Sequence, residues 1–232
     1  MVDRAVNALR RLRIDIWSDV MCPWCLIGWG NLRQALDTLE GEIAADIAWH
    51  AFELNPDMPP AGEERTAHIA RKYGRTTDQS RAVQDQMRAA ARAAGVSLDF
   101  GGYEPAPPAM MWNTFAAHKL LLWARDAHGA ERQTDLKLAL FAAHFNQRRE
   151  IASTDVLLDI AEEQGFARAS ARAALDDVEI GGQVRAEENA AREMNITGVP
   201  AMLVEQKYMI PGAQSPEAYT DALRRIANAP LT

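Results

Sequence analysis

The segment Ser18-Asp19-Val20-Met21-Cys22-Pro23-Trp24-Cys25-Leu26-Ile27-Gly28 holds both cysteines of the 232-residue chain, at the point where a strand pattern gives way to a helix pattern. Before it, Leu12-Arg13-Ile14-Asp15-Ile16-Trp17 alternates with the period of a strand. After it, Leu26, Trp29, Leu32, Leu36 and Leu39 recur at spacings of three and four, an apolar stripe down one helix face. Pro23 suits the first helical turn, where its missing N–H would have had no partner. It also biases Cys22 out of the α region, into the N-cap position. A helix N-terminus favours a thiolate, so the thiol of Cys22 is expected to titrate at about 5 to 7. Cys25, one turn further in, is within reach to close a disulfide. Cys22 then reads as a nucleophile and Cys25 as its resolving thiol.

Two plainer readings stand beside this one. A structural zinc site normally takes four protein ligands, so two of His50, His68, His118, His128 and His144 would have to converge on the pair, and none is paired at ligand spacing. An inert buried pair would treat each cysteine as a small hydrophobe. The proline between the cysteines and the strand-to-helix setting favour the redox reading.

Composition narrows the partners. Hydrophobic content of 48% and charged content of 25% are those of a globular chain, and a net charge of −7 argues against nucleic acid. No stretch has the length of a membrane span. Met1–Arg13 carries four arginines and no apolar block of a secretory signal, and is expected to be a frayed leader. With no cysteines beyond the pair, a cytoplasmic location is expected.

Further along, Ile43 to Leu54 reads as a second strand, and Asn55-Pro56-Asp57-Met58-Pro59-Pro60 breaks the pattern. From Glu63 to about Asn195 the periodicity is helical. A short helix ends at Gly74, Thr76 and Gln79 form a capping box, and Val96 to Pro108 is a connection. Helices follow from about Met110 to Gly129, Glu131 to Asn146, Ser153 to Gly165, on to Asp176, and roughly Gly182 to Met194. Strand character returns in Ala201–Val204 and Lys207–Ile210 across a Glu205-Gln206 turn, and Ser215-Pro216-Glu217 opens a last helix.

This order, with Cys-x-x-Cys after the first strand and Gly198-Val199-Pro200 before the third, resembles a thioredoxin-like α/β fold, with a mixed central sheet, interrupted by an all-helical domain. Residues 12–62 and 184–230 would form the thioredoxin-like part and 63–183 the insertion. More narrowly, Asp19–Gly28, Phe52–Pro59, Asn113–His118 and Pro211–Gln214 resemble the DsbA-related oxidoreductases of the FrnE type. The resemblance implies a cis Val199–Pro200 bond in a loop against the cysteines, offering backbone hydrogen bonds to a thiol or peptide ligand. It also implies a thiol–disulfide oxidoreductase or isomerase working through a mixed disulfide on Cys22, resolved by Cys25, with no cofactor beyond that pair.

The same superfamily includes kappa-class glutathione transferases and 2-hydroxychromene-2-carboxylate isomerases, which generally carry serine at the first cysteine position. A glutathione-dependent isomerase or transferase is therefore the alternative, and a non-catalytic peptide-binding or chaperone module a second. The expected partner is a thiol or disulfide, protein or small molecule, with glutathione as co-substrate and a homodimer left open. Asp19 is a candidate proton acceptor or a turn cap. Pro23, Trp24, Val199 and Pro200 are read as support. Trp112 and Asn113 are candidates for a substrate groove, core packing being the more ordinary role for Trp112.

Overall fold

A computed structural model describes residues 9–74 and 76–230. The expected leader lies outside the described residues as far as residue 8, and from Arg10 the chain is already strand. β1 (Arg10–Ser18) leads into α1 (Pro23–Thr38), and β2 (Ile43–Ala51) returns parallel to β1. The chain then leaves the sheet through β3 (Glu63–Glu64), α2 (Arg65–Tyr73), α3 (Thr77–Ala93), β4 (Met110–Met111), α4 (Phe115–His128), α5 (Ala130–Phe145), α6 (Thr154–Glu163), α7 (Arg168–Asp176) and α8 (Val178–Glu193). It returns as the antiparallel hairpin β5 (Ala201–Val204) and β6 (Tyr208–Pro211) and ends in α9 (Pro216–Ala227). The strand order β2-β1-β5-β6, with β5 antiparallel to β1, makes a mixed sheet. This is the thioredoxin-like arrangement with a helical insertion.

Two helix starts differ from expectation. Met110–Met111 pairs antiparallel with Glu63–Glu64, and the Oδ1 of Asn113 accepts the N–H of Phe115 at 3.0 Å, so α4 opens only there. α8 begins earlier than Gly182, because the carboxylate of Asp177 accepts the N–H groups of Glu179 (2.7 Å) and Ile180 (3.4 Å) as an N-cap. The expected domain boundary at 183/184 therefore falls inside one continuous helix.

Two cores meet at the cysteine loop. Leu12, Ile14 and Ile16 of β1 pack with Trp29 and Leu32 of α1 and with Tyr219 and Leu223 of α9. The helical core, built on Leu120, Leu136, Leu140 and Ile151, also takes in Val20 and Met21 from the turn after β1. The loop that carries Cys22 is thus held on one side by the insertion.

The insertion also covers the free edge of β2, whose unpaired backbone groups would otherwise offer a pairing template. Gln133 of α5, fully buried, accepts from Trp49 N at 2.9 Å and donates to Trp49 O at 2.7 Å. Glu187 and Glu188 of α8 accept from the N–H groups of Ala51 (3.0 Å) and Glu53 (3.1 Å). His50 of β2 bridges Asp15 (2.8 Å) and Glu187 (3.0 Å), with Trp17 stacked on its ring. Side chains here do the work of a fifth strand. Gln133→Leu keeps the volume but leaves a buried N–H and C=O without partners. It should lower the unfolding free energy by about 2–4 kcal/mol in a urea titration, with the far-ultraviolet circular dichroism of the native state unchanged.

Candidate active site

Cys22 is the N-cap of α1, with extended backbone (φ −85°, ψ 112°), as the following proline requires. Its carbonyl accepts from Cys25 N at 3.1 Å, but its sulfur caps none of the helix N–H groups. The sulfur instead lies 3.5 Å from the carbonyl oxygen of Val199. The Val199–Pro200 bond is cis, and Gly28 of α1 lies against the ring: a Cβ there would fall 3.1 Å from Pro200 Cγ. The loop can sit this close to the cysteines because position 28 has no side chain.

Cys22, Pro23, Trp24 and Val199 line a cleft of about 440 Å³ whose other walls come largely from the insertion. Trp24 stands at its rim, 39% exposed. Cys25 lies behind Cys22, 1% exposed, packed with Leu26 and Phe141. Both thiols are buried, Cys22 at 3% exposure, but only Cys22 lines the cleft.

Residues 13–224 match the DSBA-like thioredoxin domain family. The chain belongs to that family. It is 27% identical over 220 residues to the uncharacterized protein YwbO of Bacillus subtilis (strain 168), covering 91% of this chain and 96% of that one. Among solved structures it is similar to a probable DsbA oxidoreductase from Streptomyces coelicolor, with 29% identity, a TM-score of 0.82 and coverage of 95% and 93% of the two chains. The cytosolic disulfide reductase DsbM of Pseudomonas aeruginosa, solved with GSH, shares the fold at 18% identity and a TM-score of 0.57, over 94% of this chain and 100% of that one.

In this DsbA-like chain the buried charges around the thiols come from both parts of the molecule. Asp19 is fully buried; its carboxylate accepts from Met21 N (3.3 Å) and Leu54 N (2.8 Å) and lies 3.8 Å from His118 Nε2. Burial alone would raise its pKa, but His118, the Leu54 N–H and Lys137 outweigh burial and hold it below the ordinary value. Such a carboxylate is suited to capping the turn and stays ionised at neutral pH. Trp112 lines the cleft, its N–H 2.9 Å from the sulfur of Met21. Asn113 does not line it: the side chain caps α4 and reaches the carbonyl of Pro56 at 3.4 Å.

The residue that sequence reading missed is Lys137 of α5. It is fully buried, with Nζ 3.3 Å from the carbonyl of Ser18 and over the rings of Phe141 (5.0 Å) and Trp49 (5.4 Å). Desolvation pulls its pKa down to about 8, while Cys25, Asp19 and Cys22 pull the other way. It is a buried cation beside the Cys25 sulfur.

The two thiols share their protons unequally. Cys22 is raised well above the usual thiol range, first by its hydrogen bond to Cys25 and then by burial. Burial would raise Cys25 too, but the Cys22 thiol, the Ser18 hydroxyl and the charge of Lys137 hold it low. This departs from the expected thiolate on Cys22: the hydrogen bond to the Cys25 sulfur, burial and the Cys25 charge outweigh the one helix N–H, that of Cys25, that favours a charge there. The first proton lost from the dithiol leaves a charge centred on Cys25.

Lys137→Met should act in opposite directions on two measurements. Removing the cation disfavours the thiolate, so the pH profile of alkylation of the dithiol should move to higher pH. The ammonium's folded pKa of about 8 lies below its reference value of 10.5, so it costs stability at pH 7, and that cost is relieved as pH rises through this window. The variant should therefore unfold at pH 7 with a free energy higher by on the order of 1–3 kcal/mol. An unchanged alkylation profile would remove Lys137 from the thiol chemistry.

Proposed function

We propose that this DsbA-like chain is a thiol–disulfide oxidoreductase that cycles Cys22 and Cys25 between dithiol and disulfide, in the manner of the FrnE-type enzymes it resembles. The observation that carries the reading is the pairing of a cleft-facing Cys22 with a sealed Cys25 backed by a buried cation. In the direction that reduces a substrate disulfide, starting from the Cys25 thiolate, the sulfur of Cys22 attacks the disulfide as its proton passes to Cys25. The Cys22–substrate disulfide forms and one substrate thiolate leaves. The Cys25 sulfur then loses that proton to solvent and attacks Cys22, closing the Cys22–Cys25 disulfide and releasing the second thiolate. Two electrons pass from the dithiol to the substrate, and the same steps in reverse oxidise a dithiol.

The Val199 carbonyl lies where an incoming group would meet it, so the loop is suited to hold the substrate beside Cys22. Lys137 favours the step in which negative charge gathers on Cys25. By favouring the thiolate it stabilises the dithiol and makes the disulfide the stronger oxidant. The cycle uses the two sulfurs alone, and a reducing cytoplasm suits a chain with no other cysteine.

Two single substitutions test the division of roles. Cys22→Ser should abolish exchange with a model disulfide peptide, whereas Cys25→Ser should accumulate a mixed disulfide, read by intact mass, at Cys22. Turnover that survives Cys22→Ser would reject the mechanism. An adduct of the wild-type chain on Cys25 would reverse the roles.

A further inference from the structure

The chain carries a net charge of −7, yet among the described residues no carboxylate lines the cleft over Cys22. Four cationic side chains do: Arg65 and Lys72 of α2, Arg88 of α3, and Arg148 beyond α5. All four belong to the insertion. Arg88 is held by Asp99 at 2.9 Å. Among the described residues the other three form no salt bridge. Lys72 donates to the carbonyl of Leu54 (2.9 Å) and Oδ1 of Asn55 (2.6 Å), and Arg148 to the carbonyl of Pro107, with Phe100 under its guanidinium.

Arg65 is the least satisfied. Its Nε is buried and meets no acceptor among the described residues. Its neighbours are of like charge: after burial, Arg148 and Arg88 are what lower its pKa, against a smaller opposing pull from Glu64. Glu64 is engaged elsewhere, its carboxylate capping α2 through Ala67 N at 2.9 Å. A half-buried guanidinium with an unused donor and two cationic neighbours is costly until an anion completes it. His144 adds no charge, since burial brings it down to about 4. The remaining wall is mostly apolar, with Val83, Met87, Met110, Trp112 and Phe145, and its polar members include Asn55, His68, Ser80 and Gln84.

We infer that the insertion wall centred on Arg65 is an anion subsite, and that the substrate is a small disulfide or thiol with a carboxylate on an apolar body. The carboxylate would sit on Arg65, with Arg148 and Arg88 adding long-range attraction, while the sulfur reaches Cys22. A cleft of about 440 Å³ is of the size that encloses a small molecule. This rests on the redox reading above and specifies which disulfides it serves.

The reduced protein supplies the test, through the rate at which it is oxidised by two aromatic disulfides. One, 5,5′-dithiobis(2-nitrobenzoate), carries carboxylates; the other, 4,4′-dithiodipyridine, is uncharged at neutral pH. Arg65→Gln should slow the anionic reagent by on the order of tenfold and the neutral one by less than about twofold, as expected for loss of a charge-assisted hydrogen bond. Arg65→Lys should retain part of the preference. Added salt should slow only the anionic reagent with the wild-type protein. Equal slowing of both reagents by Arg65→Gln, or no slowing of either, overturns the anion subsite and leaves the redox reading intact. Failure of the wild-type dithiol to react even with the neutral reagent overturns both.

Discussion

One stripe of α5 holds the site together. Gln133, Lys137 and Phe141 follow one another at intervals of four, so they lie along a single helix face. Gln133 closes the backbone of Trp49 on β2, Lys137 reaches the carbonyl of Ser18 at the end of β1, and Phe141 packs against the cysteine pair. A rotation of α5 would break all three contacts together. The insertion is therefore part of the wall around the cysteine pair, and the cysteine loop is shaped between two cores.

That docking brings a cation into a place where a charge is expensive. Lys137 is fully buried with one backbone carbonyl and two aromatic faces for company, which does not replace its hydration. Its attraction to Asp19 and the cysteines offsets only part of the loss, which is why its pKa remains depressed. Such an arrangement is a poor source of stability. Its charge adds to the Cys22 thiol and the Ser18 hydroxyl in holding the Cys25 thiol low. In the proposed cycle this lets Cys22 keep its proton until a substrate sulfur arrives to take its electron pair.

Sequence patterns carry information about covalent order and apolar periodicity, and the legible parts of this chain are those. The strand, turn and helix around Cys22 could be read because Pro23 and the stripe from Leu26 to Leu39 have one structural meaning. The start of α9 could be read because Ser215 does what an N-cap does, accepting from Ala218 N at 3.2 Å. Met110-Met111-Trp112 misled because an apolar run has no period of its own; only the partner strand at Glu63–Glu64 decides it. The Glu205-Gln206 turn was visible from its neighbours, although both residues take positive φ, the geometry that closes a tight hairpin. The cis bond before Pro200 came through family resemblance, since the residues alone favour trans.

The candidate site was half legible for the same reason. Cys22 and Cys25 announce themselves by spacing, but Lys137 and Arg65 look like the solvated face of an amphipathic helix. Nothing local separates a lysine in water from one beneath a thiol, because the difference lies in what a distant strand puts over it. The two cations also stand on opposite sides of the pair: Arg65 lines the cleft, whereas Lys137 does not and lies behind the sealed sulfur. In the proposed cycle, charge at position 137 acts on the proton shared by the sulfurs and hence on how oxidising the pair is. Charge at position 65 would act on what approaches Cys22. The thioredoxin-like part of this chain carries neither cation: both Lys137 and Arg65 come from the helical insertion, one behind the cysteine pair and one in the cleft wall.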